Sequence, residues 1–356
     1  MSDLLNKLRK NSTIKDTDIL ADSKFFNEKD TIPTTVPAIN IALSGKINGG
    51  FAPGLTIWAG PSKHFKTSFS LLMAKAYMDK YPDSVLLFYD SEFGTPQSYF
   101  DSFKIDTNRV LHTPITDIEQ LKFDIMSQLE QIGRGERVMI IIDSVGNLAS
   151  KKEVDDALKQ NSAADMTRAK QLKSLFRMVT PHLTIKDIPM VVVNHTYMTQ
   201  EMFSKPVVSG GTGIYYSADN IFILGRQQEK EGKDVVGYNF IINVEKSRFV
   251  KEKSKIPIEV SWDEGISKWS GLMDMALESG HVIKPKVGWF QRVDMSTGEI
   301  LDKSYRMNDT YSFSFWHPIL QCPKFNAFIE NKYRVASGNI MQEDEVDSVY
   351  EDLEAE

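Results

Sequence analysis

The stretch Gly60-Pro-Ser-Lys-His-Phe-Lys66-Thr67-Ser68 decides how this chain is read. It follows the apolar run Leu55-Thr-Ile-Trp-Ala59 and precedes a helical pattern from Ser68 to Tyr81. A strand, a tight loop and a helix in that order are the context of a phosphate-binding loop. Backbone N–H groups wrap the phosphates in such a loop, and the helix N-terminus adds its positive dipole end. Gly60, Pro61, Ser62, Lys63, His64, Phe65, Lys66, Thr67 and Ser68 are therefore the expected nucleotide cradle. Lys66 is expected to neutralise charge on the β- and γ-phosphates, and the Thr67 hydroxyl to ligate Mg²⁺. One position departs from the pattern. Phe65 stands where the second glycine belongs, and glycine serves there because the backbone approaches phosphate or takes unusual dihedrals.

Two more apolar runs end in acids. Ser84-Val-Leu-Leu-Phe-Tyr89 leads into Asp90-Ser91-Glu92, and Arg137-Val-Met-Ile-Ile-Ile142 leads into Asp143-Ser144. Continuous apolar runs between helical patterns predict parallel strands covered on both faces. Carboxylates at the C-terminal ends of such strands face the ligand crevice. Asp143 is expected to hold Mg²⁺, directly or through water. Glu92 is expected to polarise the attacking water. The fold class is thus α/β, with a mostly parallel central sheet flanked by helices.

The chain has 356 residues, enough for one large core and a smaller appended domain. Apolar residues make up 41% and charged residues 25%, close to the globular average. A single cysteine, Cys322, excludes an intrachain disulfide framework and fits a reducing, cytoplasmic setting. The six histidines have no metal-ligand spacing, so zinc is not expected. The N-terminus has no signal-peptide core, and no apolar run is long enough to predict a transmembrane helix. Glu343 to Glu356 carry eight acids and no Lys or Arg, so without them the formal charge moves from −6 to +2. A mildly basic body with an acidic tail is expected, the tail being solvated or competing with a polyanion for basic loops.

Four regions follow along the chain. Residues 1–30 are polar with a short helical pattern (Leu4, Leu5, Leu8) and then Phe25-Phe26, and are expected to pack on a neighbouring subunit. Residues 31–270 are the α/β body, 271–340 a small α/β domain and 341–356 the tail. Strands are predicted at 55–59, 84–89, 109–113, 137–142, 188–194 and 219–225, with antiparallel strands at 238–247 and 256–262. Helices are predicted near 67–81, 95–104, 117–132 and 166–182.

Two long stretches break the alternation, 146–167 and 195–213. The first contains Lys151 and Lys152 and runs into Arg168. The second contains His195, Phe203, Lys205 and the pair Gly210-Gly211. Long loops in compact domains are uncommon and usually functional or disordered. Basic residues, aromatics and flexible glycines suit a groove for single-stranded nucleic acid. Lys151, Lys152, Arg168, Phe203, Lys205, Gly210 and Gly211 are the expected DNA-contacting set.

Together, Gly60…Lys66-Thr67, Tyr89-Asp90-Ser91-Glu92, Ile142-Asp143-Ser144 and Val193-Asn194-His195 resemble the RecA-family strand-exchange recombinases. Gly210-Gly211-Thr-Gly-Ile-Tyr-Tyr-Ser-Ala218 is similar to the end of the family's second DNA-binding loop, and Gly271-Leu-Met-Asp-Met-Ala-Leu-Glu-Ser-Gly280 also matches. The resemblance is strongest to the branch carried by T-even-like phages, through Phe88-Tyr-Asp-Ser-Glu-Phe-Gly94, Asn147-Leu-Ala-Ser-Lys-Lys-Glu153 and Gln200-Glu-Met-Phe-Ser-Lys205. It covers about residues 20–300.

The resemblance implies a RecA-like P-loop ATPase core, an N-terminal oligomerisation segment and a small C-terminal domain. Tyr99 aligns with the aromatic that stacks on adenine, although Pro96 replaces the acid that precedes it in bacterial members. Lys246 and Arg248 align with basic residues that reach the neighbouring subunit's γ-phosphate. His195 stands where the family carries a phosphate-sensing glutamine. The implied activity is DNA-dependent ATP hydrolysis with Mg²⁺. The implied assembly is a helical filament on single-stranded DNA that pairs with a homologous duplex. A recombination mediator and a single-strand-binding protein are the implied partners, in the host cytoplasm if the chain is phage-encoded. A ring helicase of the same core, a P-loop metabolite kinase and a non-catalytic DNA-coating protein are the alternatives. The kinase would need a lid with arginines and an acceptor pocket, and Glu92 disfavours the coating protein.

Overall fold

The computed structural model describes residues 3–14, 17–23, 29–159, 167–232 and 234–335. The expected tail 341–356, the pair Phe25-Phe26 and residues 160–166 of the first expected loop lie outside the described residues. Helix α1 (Asp3–Asn11) buries nothing and exposes Leu4, Leu5 and Leu8. Helix α2 (Pro37–Ser44) is buried along its whole length, starts with Pro37 and stops at Gly45 in the left-handed region. A helix buried on every side has no solvent-facing polar stripe, so no period announced it in the sequence.

The alternating part matches the expectation closely. It comprises β1 (Gly54–Ala59), α3 (Lys66–Lys80), β2 (Val85–Asp90), α4 (Gln97–Ser102), β3 (Val110–Pro114), α5 (Ile118–Gln131) and β4 (Val138–Asp143). Helices α6 (Lys151–Leu158) and α7 (Thr167–Lys186) then lead to β5 (Pro189–Asn194). The hairpin β6 (Thr196–Met198) and β7 (Pro206–Val208) and helix α8 (Thr212–Ser217) follow, and then β8 (Asn220–Glu231), β9 (Asp234–Ser247), β10 (Lys255–Ser261) and β11 (Gly265–Ile266). All strands except β6 and β7 join one nine-stranded sheet in the order β11-β10-β9-β8-β1-β5-β4-β2-β3. Pairing is parallel from β8 to β3 and antiparallel from β8 to β11.

Both faces of the sheet are buried at its central strands β1, β5 and β4, which is why these read as continuous apolar runs. On β1, Leu55, Ile57 and Ala59 pack under α5 and α7, while Trp58 packs on the opposite side with Phe69 of α3 and Ile39 of α2. The strand order places β1 between β5 and β8, and the chain leaves β1, β2, β4 and β5 at the same edge. That edge is where the loops ending in Lys66, Glu92, Asp143 and His195 meet.

After β11 come α9 (Leu272–Glu278) and a three-stranded antiparallel sheet of β12 (Val282–Lys286), β13 (Trp289–Val293) and β14 (Ile300–Arg306). Helices α10 (Met307–Thr310), α11 (Phe313–Leu320) and α12 (Pro323–Tyr333) complete the described chain. Leu272, Phe290, Tyr305 and Phe315 of this part share one hydrophobic cluster with Trp58 and Phe69 of the body.

The two long stretches are more ordered than expected. Ser150 caps α6 and accepts from the Glu153 amide, and Glu153 returns the bond to the Ser150 amide, so a capping box starts a helix in the first stretch. The second stretch folds as the β6–β7 hairpin, with Thr196 opposite Val208 and Met198 opposite Pro206.

Candidate functional site

The strand, loop and helix around Gly60 to Ser68 form as β1, a tight loop and α3. Gly60 leaves β1 at φ 159°, and Phe65 ends the loop at φ 62° and ψ 15°, in the left-handed region that suits glycine. A non-glycine residue there costs roughly 1–2 kcal/mol. The Phe65 ring offsets this by packing 4.9 Å from Phe240 and 6.0 Å from Phe69. Phe65 thus keeps the backbone shape of the missing glycine and adds an aromatic anchor.

Lys66 is buried at the start of α3, and its Nζ donates to the Pro61 carbonyl at 2.8 Å. Burial lowers its pKa, against the opposing pull of Glu92 and Asp143. The Thr67 hydroxyl donates to Asp143 Oδ2 at 2.7 Å. Asp143 Oδ1 is buried with no partner. Burial pushes the Asp143 carboxyl up to about 6, with Glu92 and Asp90 adding to the rise and Thr67 and Lys66 opposing it. An orphaned carboxylate oxygen beside a hydroxyl is a hard-oxygen donor set that fits Mg²⁺. The sequence-predicted pair Thr67 and Asp143 therefore meets the requirement.

Glu92 is held from three directions. Asp90 Oδ1 accepts from the amides of Glu92 at 3.0 Å and Phe93 at 2.8 Å, which fixes the turn after β2. Ser144 Oγ donates to Glu92 Oε1 at 2.6 Å, and His195 Nε2 donates to the same oxygen at 3.0 Å. The His195 bond, with Ser144 and Lys66 behind it, lowers the Glu92 pKa to about 2 against the cost of burial. Glu92 is thus a carboxylate at any working pH. His195 is itself rooted. Asn194 Oδ1 accepts from its amide at 2.8 Å, and Asn194 Nδ2 donates to the Ser209 carbonyl at 2.7 Å, which ties the returning hairpin to the strand end.

The crevice enclosed by these groups has a volume of about 650 Å³, within the range of nucleotide-sized pockets. Tyr99 lines it and its hydroxyl is hydrogen-bonded to Ser68 Oγ. Sequence reasoning missed the opposite wall. Arg226 donates to the Lys63 carbonyl at 3.2 Å and lies 4.6 Å over the Tyr238 ring, and Tyr238 meets the exposed Trp262 edge-on at 6.3 Å. These residues stand on β8, β9 and the turn after β10, in the antiparallel half, where no phosphate-loop pattern could point to them.

Lys246 and Arg248 do not reach this crevice. Lys246 pairs with Ile221 near the start of β8 and donates to the Tyr215 carbonyl at 2.7 Å. Arg248 follows β9 and pairs with Asp219 at 2.6 Å, and Asp219 also accepts from the Leu55 amide at 2.8 Å. Arg248 therefore stands where β1 begins and the phosphate loop where β1 ends, roughly 20 Å apart at ~3.3 Å per strand residue. The Arg248 side chain is 69% exposed.

The expected DNA-contacting set divides. Lys151 and Lys152 begin the exposed helix α6. Met202 and Phe203 are 95% and 79% exposed at the tip of the β6–β7 hairpin, next to Lys205, so two large apolar side chains stand uncovered by any of the described residues. Arg168 turns inward instead of outward. Its guanidinium donates to the carbonyls of Leu148, Val145 and Gly146 at 2.8, 2.9 and 2.6 Å, because the chain leaving β4 has carbonyls that no strand satisfies. Gly210 is also a packing residue. A β-carbon there would lie 2.6 Å from Ile214 and 3.0 Å from Leu172, at φ 99°. Gly211, at φ 76°, is the N-cap of α8. A further glycine escaped notice: a β-carbon on Gly146 would fall 2.1 Å from the His195 ring.

Residues 4–267 match the model of the RecA N-terminal domain, and residues 269–329 match that of the C-terminal domain of the bacteriophage T4 recombination and repair protein. The chain is 54% identical to the recombination and repair protein of Enterobacteria phage T4, over 98% of this chain and 91% of that one. It is 26% identical to the RecA protein of Paenarthrobacter aurescens over 78% of each chain, and 26% identical to that of Bacteroides thetaiotaomicron over 76% of this chain and 80% of that one. Among the described residues no helix is long and apolar enough to cross a membrane.

Proposed function

The chain belongs to the RecA family, and on that premise we propose that it assembles on single-stranded DNA as an ATP-dependent filament. The filament pairs its strand with a homologous duplex and exchanges strands, in recombination, repair and recombination-dependent replication. One observation carries the reading. Lys66, Thr67, Asp143, Glu92 and His195 converge on one crevice at one edge of the sheet, while Arg248 projects from the other.

ATP occupies the crevice, with its phosphates on the amides between Gly60 and Ser68 and its base against Tyr99. Mg²⁺, when bound, supplies positive charge to the phosphates. Lys66 gives up the Pro61 carbonyl and turns its ammonium to the β- and γ-phosphates. Thr67 and Asp143 hold the metal's coordination site. Glu92, pinned by Ser144 and His195, orients and polarises the attacking water. Lys246 and Arg248 of one subunit supply charge to the nucleotide of the next, since they cannot reach their own. A head-to-tail contact that does not close generates a helix of subunits. Leu4, Leu5 and Leu8 on α1 give such a contact an apolar surface.

DNA lies along α6 and the β6–β7 hairpin. Lys151, Lys152 and Lys205 neutralise phosphates, and Phe203 stacks on or inserts between bases. Such contacts carry little base code, so homology is read by pairing with the incoming duplex. Residues 1–30 act as the subunit-contact segment, 31–270 as the ATPase core and 271–340 as the appended domain. A mediator that loads the protein and a single-strand-binding protein are its expected partners, in the host cytoplasm if the chain is phage-encoded.

Electron microscopy with single-stranded DNA and a non-hydrolysable ATP analogue tests the assembly. Helical filaments are expected; closed rings would favour a helicase, and monomers a kinase.

A further inference from the structure

The C-terminal part contains a second cavity of about 510 Å³, between the β13–β14 hairpin, the end of α11 and the start of α12. Its lining includes His281, Arg292, Asp294, Cys322 and Lys324, with apolar walls from Leu301 and Ile319. It lies outside the nucleotide crevice and shares no lining residue with it.

Two polar atoms in this lining are buried and unclaimed. His281 is 3% exposed, and its Nε2 has no partner, while its Nδ1 lies 3.0 Å from Ser279 Oγ. Arg292 Nε is likewise buried without a partner. Leaving a buried polar atom unpaired costs about 1–3 kcal/mol. Arg292 Nε–H is always a donor, and His281 Nε2 is one in the tautomer whose Nδ1 accepts from the Ser279 hydroxyl, so together they suit an acceptor. The third element is α12, eleven residues long, whose N-terminus opens on the cavity through Pro323 and Lys324. No side chain caps it. Its first amides have no intrahelical acceptor, and they carry the positive end of the dipole. The His281 ring meets Phe325 of the same first turn edge-on at 5.1 Å. Lys324 adds a cation at the rim, where its Nζ donates to the Met295 carbonyl at 2.6 Å. The one carboxylate in the lining, Asp294, is already engaged by the Ser296 amide and hydroxyl, at 2.8 and 2.5 Å.

We propose that this cavity is a carboxylate-binding site that takes an acidic side chain of a peptide, seated on the α12 N-terminus and the free nitrogens of His281 and Arg292. The walls define what accompanies the anion. Leu301, Pro318, Ile319 and Pro323 favour an acid flanked by apolar side chains. The chain itself carries such a segment in Glu345-Val-Asp-Ser-Val-Tyr-Glu-Asp-Leu353. Its tether also allows it. Helix α12 starts at the cavity and covers ~16 Å at ~1.5 Å per residue, and the eight residues from 336 to 343 extend to ~26 Å at ~3.3 Å each. An acidic segment of a partner protein offers the same chemistry. The two sources are distinguished by whether the chain's own tail competes.

The test uses a fluorescent peptide of residues 343–356, titrated at low ionic strength into the full chain and into a chain ending at residue 342. Binding to the shortened chain is expected. An Arg292→Gln variant should weaken it at least tenfold and a Lys324→Glu variant at least fivefold, with unchanged ATP hydrolysis on single-stranded DNA in each. Millimolar inorganic phosphate should displace the peptide, and a peptide with every acid changed to Gln or Asn should not bind. If the full chain refuses the peptide, its own tail fills the site; if it binds equally well, the site is open to a partner's acidic segment. Equal affinity for the unmodified chain and both variants, binding of the neutral peptide, or no binding to the shortened chain would overturn the proposal.

Discussion

The carboxylate of Glu92 lies 3.0 Å from Nε2 of His195, so the residue proposed to orient water is tied directly to the strand end from which the β6–β7 hairpin departs. Gly146, which opens the first of the two long stretches, leaves room for the same imidazole, and Arg168 pins its carbonyl. The His195 ring is therefore in contact with the base of both segments proposed to face DNA and with Glu92. On that proposal, a shift of either segment on binding DNA has a short mechanical route to the Glu92 carboxylate.

Glu92→Gln should abolish steady-state hydrolysis while ATP still binds. Water-orienting and general-base work is worth about 10²–10⁴-fold in rate. Nucleotide binding by fluorescence and phosphate release on single-stranded DNA measure the two separately. Hydrolysis within twofold of the unmodified protein would remove Glu92 from its role.

His195 carries a pH prediction with a definite sign. Its bond to Glu92 holds the carboxyl near 2, below the usual 4.5. The stabilisation from that contact is present above about pH 4.5 and is lost as pH falls through about 2. His195→Ala should raise the Glu92 pKa, and a carbon-detected titration of the Glu92 carboxyl reads this directly. Asp143 behaves oppositely: burial lifts its carboxyl to about 6 without metal, so protonation below that pH should weaken Mg²⁺ binding. The acid limb of metal binding should then move down when Mg²⁺ is raised. An acid limb independent of Mg²⁺ would contradict the assignment of Asp143.

Lys246→Ala and Arg248→Ala should each bind ATP as isolated subunits and fail to hydrolyse it on DNA. Charge supplied in trans is worth roughly 10³–10⁵ in comparable phosphoryl transfers. Mixing either variant with Lys66→Ala protein decides the matter. Mixed filaments should regain activity, because some interfaces then combine an intact crevice with intact trans cations. Intact mixed filaments without activity would show that the site is not shared.

The DNA-facing segments need separate tests. Phe203→Ala should weaken single-stranded DNA binding by about 1–3 kcal/mol without changing the melting temperature, since its ring stands in solvent. Arg168→Ala should loosen the chain after β4 and lower the melting temperature, with no change in the salt slope of DNA binding. Gly210→Val should destabilise the fold, as its side chain would collide with Ile214 and Leu172. A salt slope reduced by about one unit in Arg168→Ala would restore Arg168 as a phosphate contact.

Much of the crevice was legible because each of its parts ends an apolar strand. Lys66, Glu92, Asp143 and His195 follow β1, β2, β4 and β5, and parallel pairing brings those strand ends to one edge. Arg226, Tyr238 and Trp262 were not legible, because they reach the crevice from antiparallel strands whose register the sequence does not reveal. Helix α2 was hidden by being buried all round, with no polar face to mark a period. The inward bonds of Arg168 and the tight packing at Gly210 were not legible for one reason: a basic residue or a glycine in a long loop looks free until the carbonyls and side chains around it are known.

Phe65 offers the sharpest separation of backbone strain from packing. Its left-handed φ of 62° disfavours any residue with a β-carbon, while its ring is packed on Phe69 and Phe240. Phe65→Gly loses the ring contacts and relieves the strain. Phe65→Ala loses the same contacts and keeps the strain. Burying a phenylalanine contributes about 1.5–3 kcal/mol and the strain costs roughly 1–2 kcal/mol. Stability should thus fall in the order Phe65, Gly, Ala, with the glycine variant within about 2 kcal/mol of the unmodified protein and the alanine variant about 1–2 kcal/mol below glycine. Urea unfolding of the three proteins without nucleotide measures this. ATP affinity should change little in Phe65→Gly, because glycine adopts the backbone shape that the loop already holds. An alanine variant as stable as the glycine variant would show that the loop carries no strain at this position.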